Sequence, residues 1–139
     1  MSSYSILTDK GNQYDENEDT VAADEHLGVW LVADGMGGHA AGEVASRIAA
    51  ETFIAQMRHG LDPVQATLDA HGAIAASAEA QQAQHGMGST LVALHIADAH
   101  AQLVWVGDSR CYLWRDGGVS VVTHDHSYVQ MLIAVSYTH

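Results

Sequence analysis

The apolar positions of this chain follow two periodicities, and the change between them divides it into parts. Over residues 41–58, Ala45, Ile48, Ala49, Thr52 and Phe53 recur at helical spacing and predict an amphipathic helix. Asp62-Pro63 opens a second helix, with the aspartate as N-cap and the proline at the first helical position. Val64, Leu68, Ile74, Ala75 and Ala78 carry its apolar face to about Gln84, and Gly72 inside it costs roughly 1 kcal/mol against alanine. From Gly88 the pattern turns to strand type, in four runs over 89–96, 102–106, 111–115 and 119–123. Asp98-Ala99-His100 and Asp116-Gly117-Gly118 supply the turns, and Asp-Gly is a strong hairpin signal.

Ahead of the helices, residues 4–8 alternate weakly and predict a strand that ends at Asp9-Lys10-Gly11-Asn12. Residues 27–33 form an apolar run too short for a helix and apolar on both faces, predicting a strand covered on both sides. Residues 128–133 look helical. Consecutive strands with short turns pair antiparallel, which excludes a Rossmann or P-loop arrangement. The class is therefore α+β, with helices packed outside antiparallel sheet.

Composition adds bounds. The 139 residues carry no repeat, linker or low-complexity segment and form one domain, 1–139, with a core. Apolar residues make up 47% and mean hydropathy is −0.02, which describes a folded globule. No apolar run is long enough to span a bilayer, and Met1-Ser2-Ser3-Tyr4 lacks the layout of a secretory signal. One cysteine, Cys111, permits no internal disulfide and suits a cytoplasmic location; it reads as a small buried hydrophobe. Net charge is −12, from 5 basic and 17 acidic residues, so neither nucleic acid nor a membrane surface is an expected partner. Much of the acidic surplus lies between Asp15 and Asp34, where bound cations could neutralise it. The ten histidines are scattered and read mostly as solvated, which weakens the alternative of a small histidine-rich metal-binding protein.

Four acidic pieces could carry chemistry. Asp34-Gly35-Met36-Gly37-Gly38 follows the 27–33 run and precedes the first helix. An aspartate ending a buried strand needs compensation of its charge, although Asp-Gly can also simply be a turn. Asn17-Glu18-Asp19 offers two adjacent acids that would point to opposite faces of a strand; alone, it would pass for a solvated loop. Asp108-Ser109-Arg110 follows a strand, but its surroundings do not match a Gly-x-Ser-x-Gly nucleophile elbow, and an Asp–Arg pair within the sheet is the expected arrangement. Asp125 lies between His124 and His126; His-x-His could serve zinc, but a carboxylate-rich set suits Mg2+ or Mn2+ better.

In their order, Asn17-Glu18-Asp19, Val32-Ala33-Asp34-Gly35-Met36-Gly37-Gly38-His39, Gly42-Glu43-Val44-Ala45-Ser46, Gly86-Met87-Gly88-Ser89-Thr90, Val106-Gly107-Asp108-Ser109-Arg110 and Thr123-His124-Asp125-His126-Ser127 resemble the metal-dependent type 2C (PPM) protein serine/threonine phosphatases, the bacterial branch in particular. The resemblance covers residues 4–133, nearly the whole chain. It implies a four-layer α/β/β/α sandwich of two antiparallel sheets flanked by helices, incomplete in this chain, with a dinuclear Mg2+ or Mn2+ site at one end. On the same ground Asp34 would bridge the two ions and the Gly35 carbonyl would bind one. Glu18 and Asp19 would bind directly or through water, Asp125 would serve a third ion, and His39 would protonate the leaving group. The implied partners are proteins phosphorylated on serine or threonine, as products of kinases. The alternative is a non-catalytic module of the same fold that binds phosphoproteins or senses metal.

Two features depart from the family pattern. The family usually has an arginine for substrate phosphate three residues before the Asn of Asn-Glu-Asp, where this chain has Tyr14. The ending over 134–139 does not look like the family's continuation and reads as an atypical tail of a C-terminally truncated domain.

Overall fold

The computed structural model describes residues 3–12, 17–37, 40–77, 86–125 and 129–134, the last segment through its backbone only. Strands β1 (Asp19–Asp24) and β2 (Val29–Met36) come first, then helices α1 (Ala41–Arg58) and α2 (Pro63–Ala76). After them come β3 (Gly88–Ser89), β4 (Leu91–Ala97), β5 (His100–Val106), β6 (Tyr112–Arg115), β7 (Gly118–Val121) and β8 (Val129–Ala134). One antiparallel sheet has the order β1-β2-β4-β5-β8, with β3 also paired to β2, and β6-β7 form a separate hairpin.

The helices lie on one face of the large sheet, because β2, β4 and β5 present small and branched side chains there. Val29, Leu31, Ala33, Leu91, Ala93 and Val104 meet Ala45, Ala49, Phe53 and Met57 of α1 and Ala66 and Ile74 of α2. Phe53 and Ala45 are completely buried. The 3.6-residue spacing read over 41–58 thus corresponds to α1 with both ends as expected. In α2, Asp62 caps the helix by accepting from the Gln65 N–H at 2.9 Å, with Pro63 next to it.

The opposite face carries Trp30, Val32, Val92, Leu94, Leu103 and Trp105, which lie across from one another in the ladder. Cys111 and Val122, which flank the hairpin, pack on Val92, Leu103 and Trp105, and the Trp105 indole donates to the His124 carbonyl at 2.8 Å. The α+β class with antiparallel sheets holds. Among the described residues the layers are the helices, the large sheet and the two-stranded β6-β7 sheet.

Several sequence expectations are corrected. Residues 4–8 form no strand: Leu7 is 91% exposed, so the segment has no apolar face to bury, and Gly11 turns back to Asp9 Oδ1 at 2.7 Å. Its contribution is the Tyr4 ring, set edge-on to Trp30 with centroids 5.9 Å apart. β1, which the pattern did not disclose, pairs with β2 along its whole length. β2 is not covered on both faces, since Val32 remains 42% exposed. α2 stops at Ala76, because Ser77 adopts extended backbone and binds the Ile74 carbonyl through both its N–H and its hydroxyl; residues 78–85 lie outside the described residues. The helix expected over 128–133 is strand β8, paired from Val129 to Ala134 with β5. The unpaired N–H and C=O groups along β5 outweigh a modest local preference there. Both two-residue turns hold, with positive φ at Asp98 and Ala99 and at Asp116 and Gly117.

Candidate metal centre

The β1–β2 register sets Asp19 directly opposite Asp34, on the sheet face turned away from the helices. Glu18, one residue earlier, points the other way, as adjacent positions must. Its carboxylate lies against Gly42 in the first turn of α1, and the Glu18 carbonyl accepts from the Gly35 N–H at 3.0 Å. No side chain caps α1 at Ala40, so an acid at this helix start is electrostatically favoured. Two glycines make the approach possible: a Cβ on Gly35 would overlap the Gly42 carbonyl, and a Cβ on Gly42 would overlap the Glu18 carboxylate.

Burial, a hydrogen bond with Asp19, and the charges of Asp19, Asp108 and Glu18 together push the Asp34 carboxyl up to about 6. Facing carboxylates repel unless a proton or a cation lies between them. The cleft beside them encloses about 330 Å3 and is lined by Asp9, Lys10, Asn17, Glu18, Asp19, Asp34 and Gly35. Hard oxygen donors of this kind fit Mg2+ or Mn2+. Among the described residues no three His, Cys, Asp or Glu side chains close around a single point.

The other sequence candidates fall differently. Asp125 does not line the cleft; its carboxylate is held at both oxygens by Arg110, at 3.0 and 2.7 Å. Arg110 therefore pairs with Asp125, and the expected Asp108–Arg110 pair is not made. Asp108 instead adds its charge to Asp34. Among the described residues the Ser109 hydroxyl is bonded to the Thr90 hydroxyl rather than to a histidine. His39, His126 and Tyr14 lie outside the described residues. The described histidines are exposed or, for His95, half-buried, and Cys111 is a packed thiol raised by burial. Sequence reasoning missed Thr90, which bonds the Asp34 backbone, and the roles of Gly42 and Asp108. Gly-Ser-Thr ahead of β4 and Val-Gly-Asp after β5 were the available signals.

A proton bound near pH 6 gives a test. The Asp34 carboxyl is raised above its ordinary value of 3.8, so the folded metal-free chain holds this proton more tightly than the unfolded chain. Its contribution to stability is greatest at acid pH and is lost as pH rises through about 6. Mn2+ must displace the same proton, so apparent affinity should rise with pH up to about 6 and then level off. Calorimetry at pH 6 in buffers of different ionisation enthalpy should record proton release, and Asp34→Asn should abolish it. An enthalpy independent of buffer would contradict the assignment.

Comparison with known proteins identifies the family of the chain. The profile described as protein phosphatase 2C matches residues 12–137. The serine/threonine protein phosphatase PstP of Mycobacterium tuberculosis is 44% identical over 137 residues, which cover 94% of this chain and 26% of that protein. The serine/threonine phosphatase stp of Listeria innocua is 35% identical over 139 residues, covering 91% of this chain and 55% of its own. The crystal structure of the PstP catalytic domain in complex with two manganese ions superposes with a TM-score of 0.75 at 38% identity, over 86% of this chain and 54% of that one. The chain thus spans from about a quarter to about half the length of these relatives. With the profile running over nearly all its residues and the acidic pair where β1 meets β2, the chain belongs to the protein phosphatase 2C family.

Proposed function

We propose that the protein this chain represents is a metal-dependent phosphatase that hydrolyses phosphoserine and phosphothreonine in proteins. The observation that carries the reading is the Asp19–Asp34 pair at an acidic cleft, in a chain of this family. Its relatives' names and the manganese complex support the same chemistry. Asp34 and Asp19 would hold two Mg2+ or Mn2+ ions, with Glu18 and the Gly35 carbonyl beside them. When bound, the ions supply an activated water and neutralise phosphate charge. Lys10 lines the same cleft and attracts a dianionic phosphate ester into otherwise acidic surroundings. His39 is the proposed proton donor to the leaving serine or threonine oxygen. Asp125 would join a third ion only by exchanging its bidentate Arg110.

The proposed substrates are the products of protein kinases. The proposed location is the cytoplasm, supported by the single cysteine; among the described residues no helix is long and apolar enough to cross a membrane. The test uses this chain and a version extended to the length of its relatives. The extended version should hydrolyse p-nitrophenyl phosphate and phosphothreonine peptides with Mn2+ and stop in EDTA. Turnover unaffected by EDTA would overturn the metal reading, and Mn2+ binding without hydrolysis would favour the binding module instead.

A further inference from the structure

We propose that Thr90, backed by Ser109, is a positioning residue for Asp34: its buried hydroxyl replaces a backbone carbonyl in the sheet and so sets the direction of the carboxylate that holds a divalent ion. The proposal rests on the metal-phosphatase reading. The register Val32↔Val92 continues as Gly35↔Ser89, which puts Asp34 across from Thr90. An antiparallel pair in an unbroken ladder exchanges both of its N–H···O=C bonds or neither.

Here the exchange is half made. The Thr90 N–H donates to the Asp34 carbonyl at 2.9 Å. The Asp34 N–H, however, donates to the Thr90 hydroxyl at 3.0 Å. The Thr90 carbonyl is occupied by the Ser89 hydroxyl, which donates to it at 2.7 Å. This substitution is where β3 ends and β4 begins.

The Thr90 hydroxyl, having accepted from Asp34, still has a proton to give, and the Ser109 hydroxyl is within hydrogen-bonding reach. Thr90 is 4% exposed, so water does not compete for these bonds. Gly107, at φ 95°, lies so close that a Cβ there would stand 2.7 Å from the Thr90 methyl carbon. The loop bearing Asp108 and Ser109 is therefore packed on Thr90. A threonine with a packed methyl has a restricted χ1. Its hydroxyl is a fixed acceptor for the Asp34 N–H.

The test uses the version extended to the length of the relatives, with Thr90→Val, which keeps the shape and loses the hydroxyl, Thr90→Ser, which keeps the hydroxyl, and Ser109→Ala. Mn2+ affinity by calorimetry, the Asp34 amide 1H–15N resonance and the thermal melt are read for each. Partners that orient metal ligands are worth roughly 10–100-fold in affinity, so Thr90→Val should weaken Mn2+ by about that factor while Thr90→Ser stays within about threefold. The Asp34 amide should shift in Thr90→Val and, less, in Ser109→Ala. Equal losses in Thr90→Val and Thr90→Ser that track melting temperature would make Thr90 merely structural and overturn the proposal. Extended wild type that binds no Mn2+ would overturn the metal reading and the proposal with it; equal binding by extended wild type and Thr90→Val would overturn the proposal alone. Should Thr90→Val fail to fold, an unmoved Asp34 amide in Ser109→Ala overturns it.

Discussion

Asp34→Asn is expected to lower Mn2+ affinity by at least about a hundredfold, more than loss of an orienting partner costs, and to cut Mn2+-dependent turnover of the extended domain by about three orders of magnitude. The amide keeps the shape of the carboxylate and removes its charge. Asp34 faces Asp19 and feels the charges of Asp19, Asp108 and Glu18. The same change should raise the melting temperature of the metal-free chain above pH 6, because it removes a carboxylate that is destabilised there. Function and stability should therefore move in opposite directions. Calorimetry, p-nitrophenyl phosphate kinetics and a melt at pH 7.5 measure the three effects. Turnover within tenfold of wild type would rule out the central role of Asp34.

Gly35→Ala is expected to cost about 3 kcal/mol or more, at the upper end for overpacking. The added methyl meets the Gly42 carbonyl, a backbone atom that no rotamer change can move aside. Relief requires α1 to slide away from β2, which opens the principal core. Gly72→Ala is the control: it lies on the exposed side of α2 with nothing within 4 Å and should stabilise by about 1 kcal/mol. Urea unfolding of both variants by tryptophan fluorescence decides the matter. Equal stabilities would show that the glycine contact is not what joins strand to helix.

What the sequence disclosed follows the length of each pattern. α1 was legible because eighteen residues repeat one periodicity, and the α2 cap because Asp62-Pro63 is a local signal. β1 escaped because Asp19–Asp24 is short and small-chained, and its identity as a strand comes from pairing with β2. β8 was misread for the same reason, since only the neighbouring edge of β5 distinguishes strand from helix there. At the site, Asp34, Glu18 and Asp19 were marked by the acidic motifs, whereas Thr90 acts through a hydroxyl brought to Asp34 by the fold. Arg110 lies two residues from Asp108 in sequence but pairs with Asp125, which the β6–β7 register brings to the same open end of the hairpin.

The Gly35–Gly42 contact has a thermodynamic consequence. It joins Glu18, β2 and the start of α1, while Asp108 comes to Asp34 from beyond β5. None of these juxtapositions exists in the unfolded chain, so an ion held by them binds the native state alone. Mass action then makes the ion a folding cofactor, worth about 2.7 kcal/mol at a hundred times its dissociation constant. Chelation would then withdraw part of the free energy that keeps the strand and helix together.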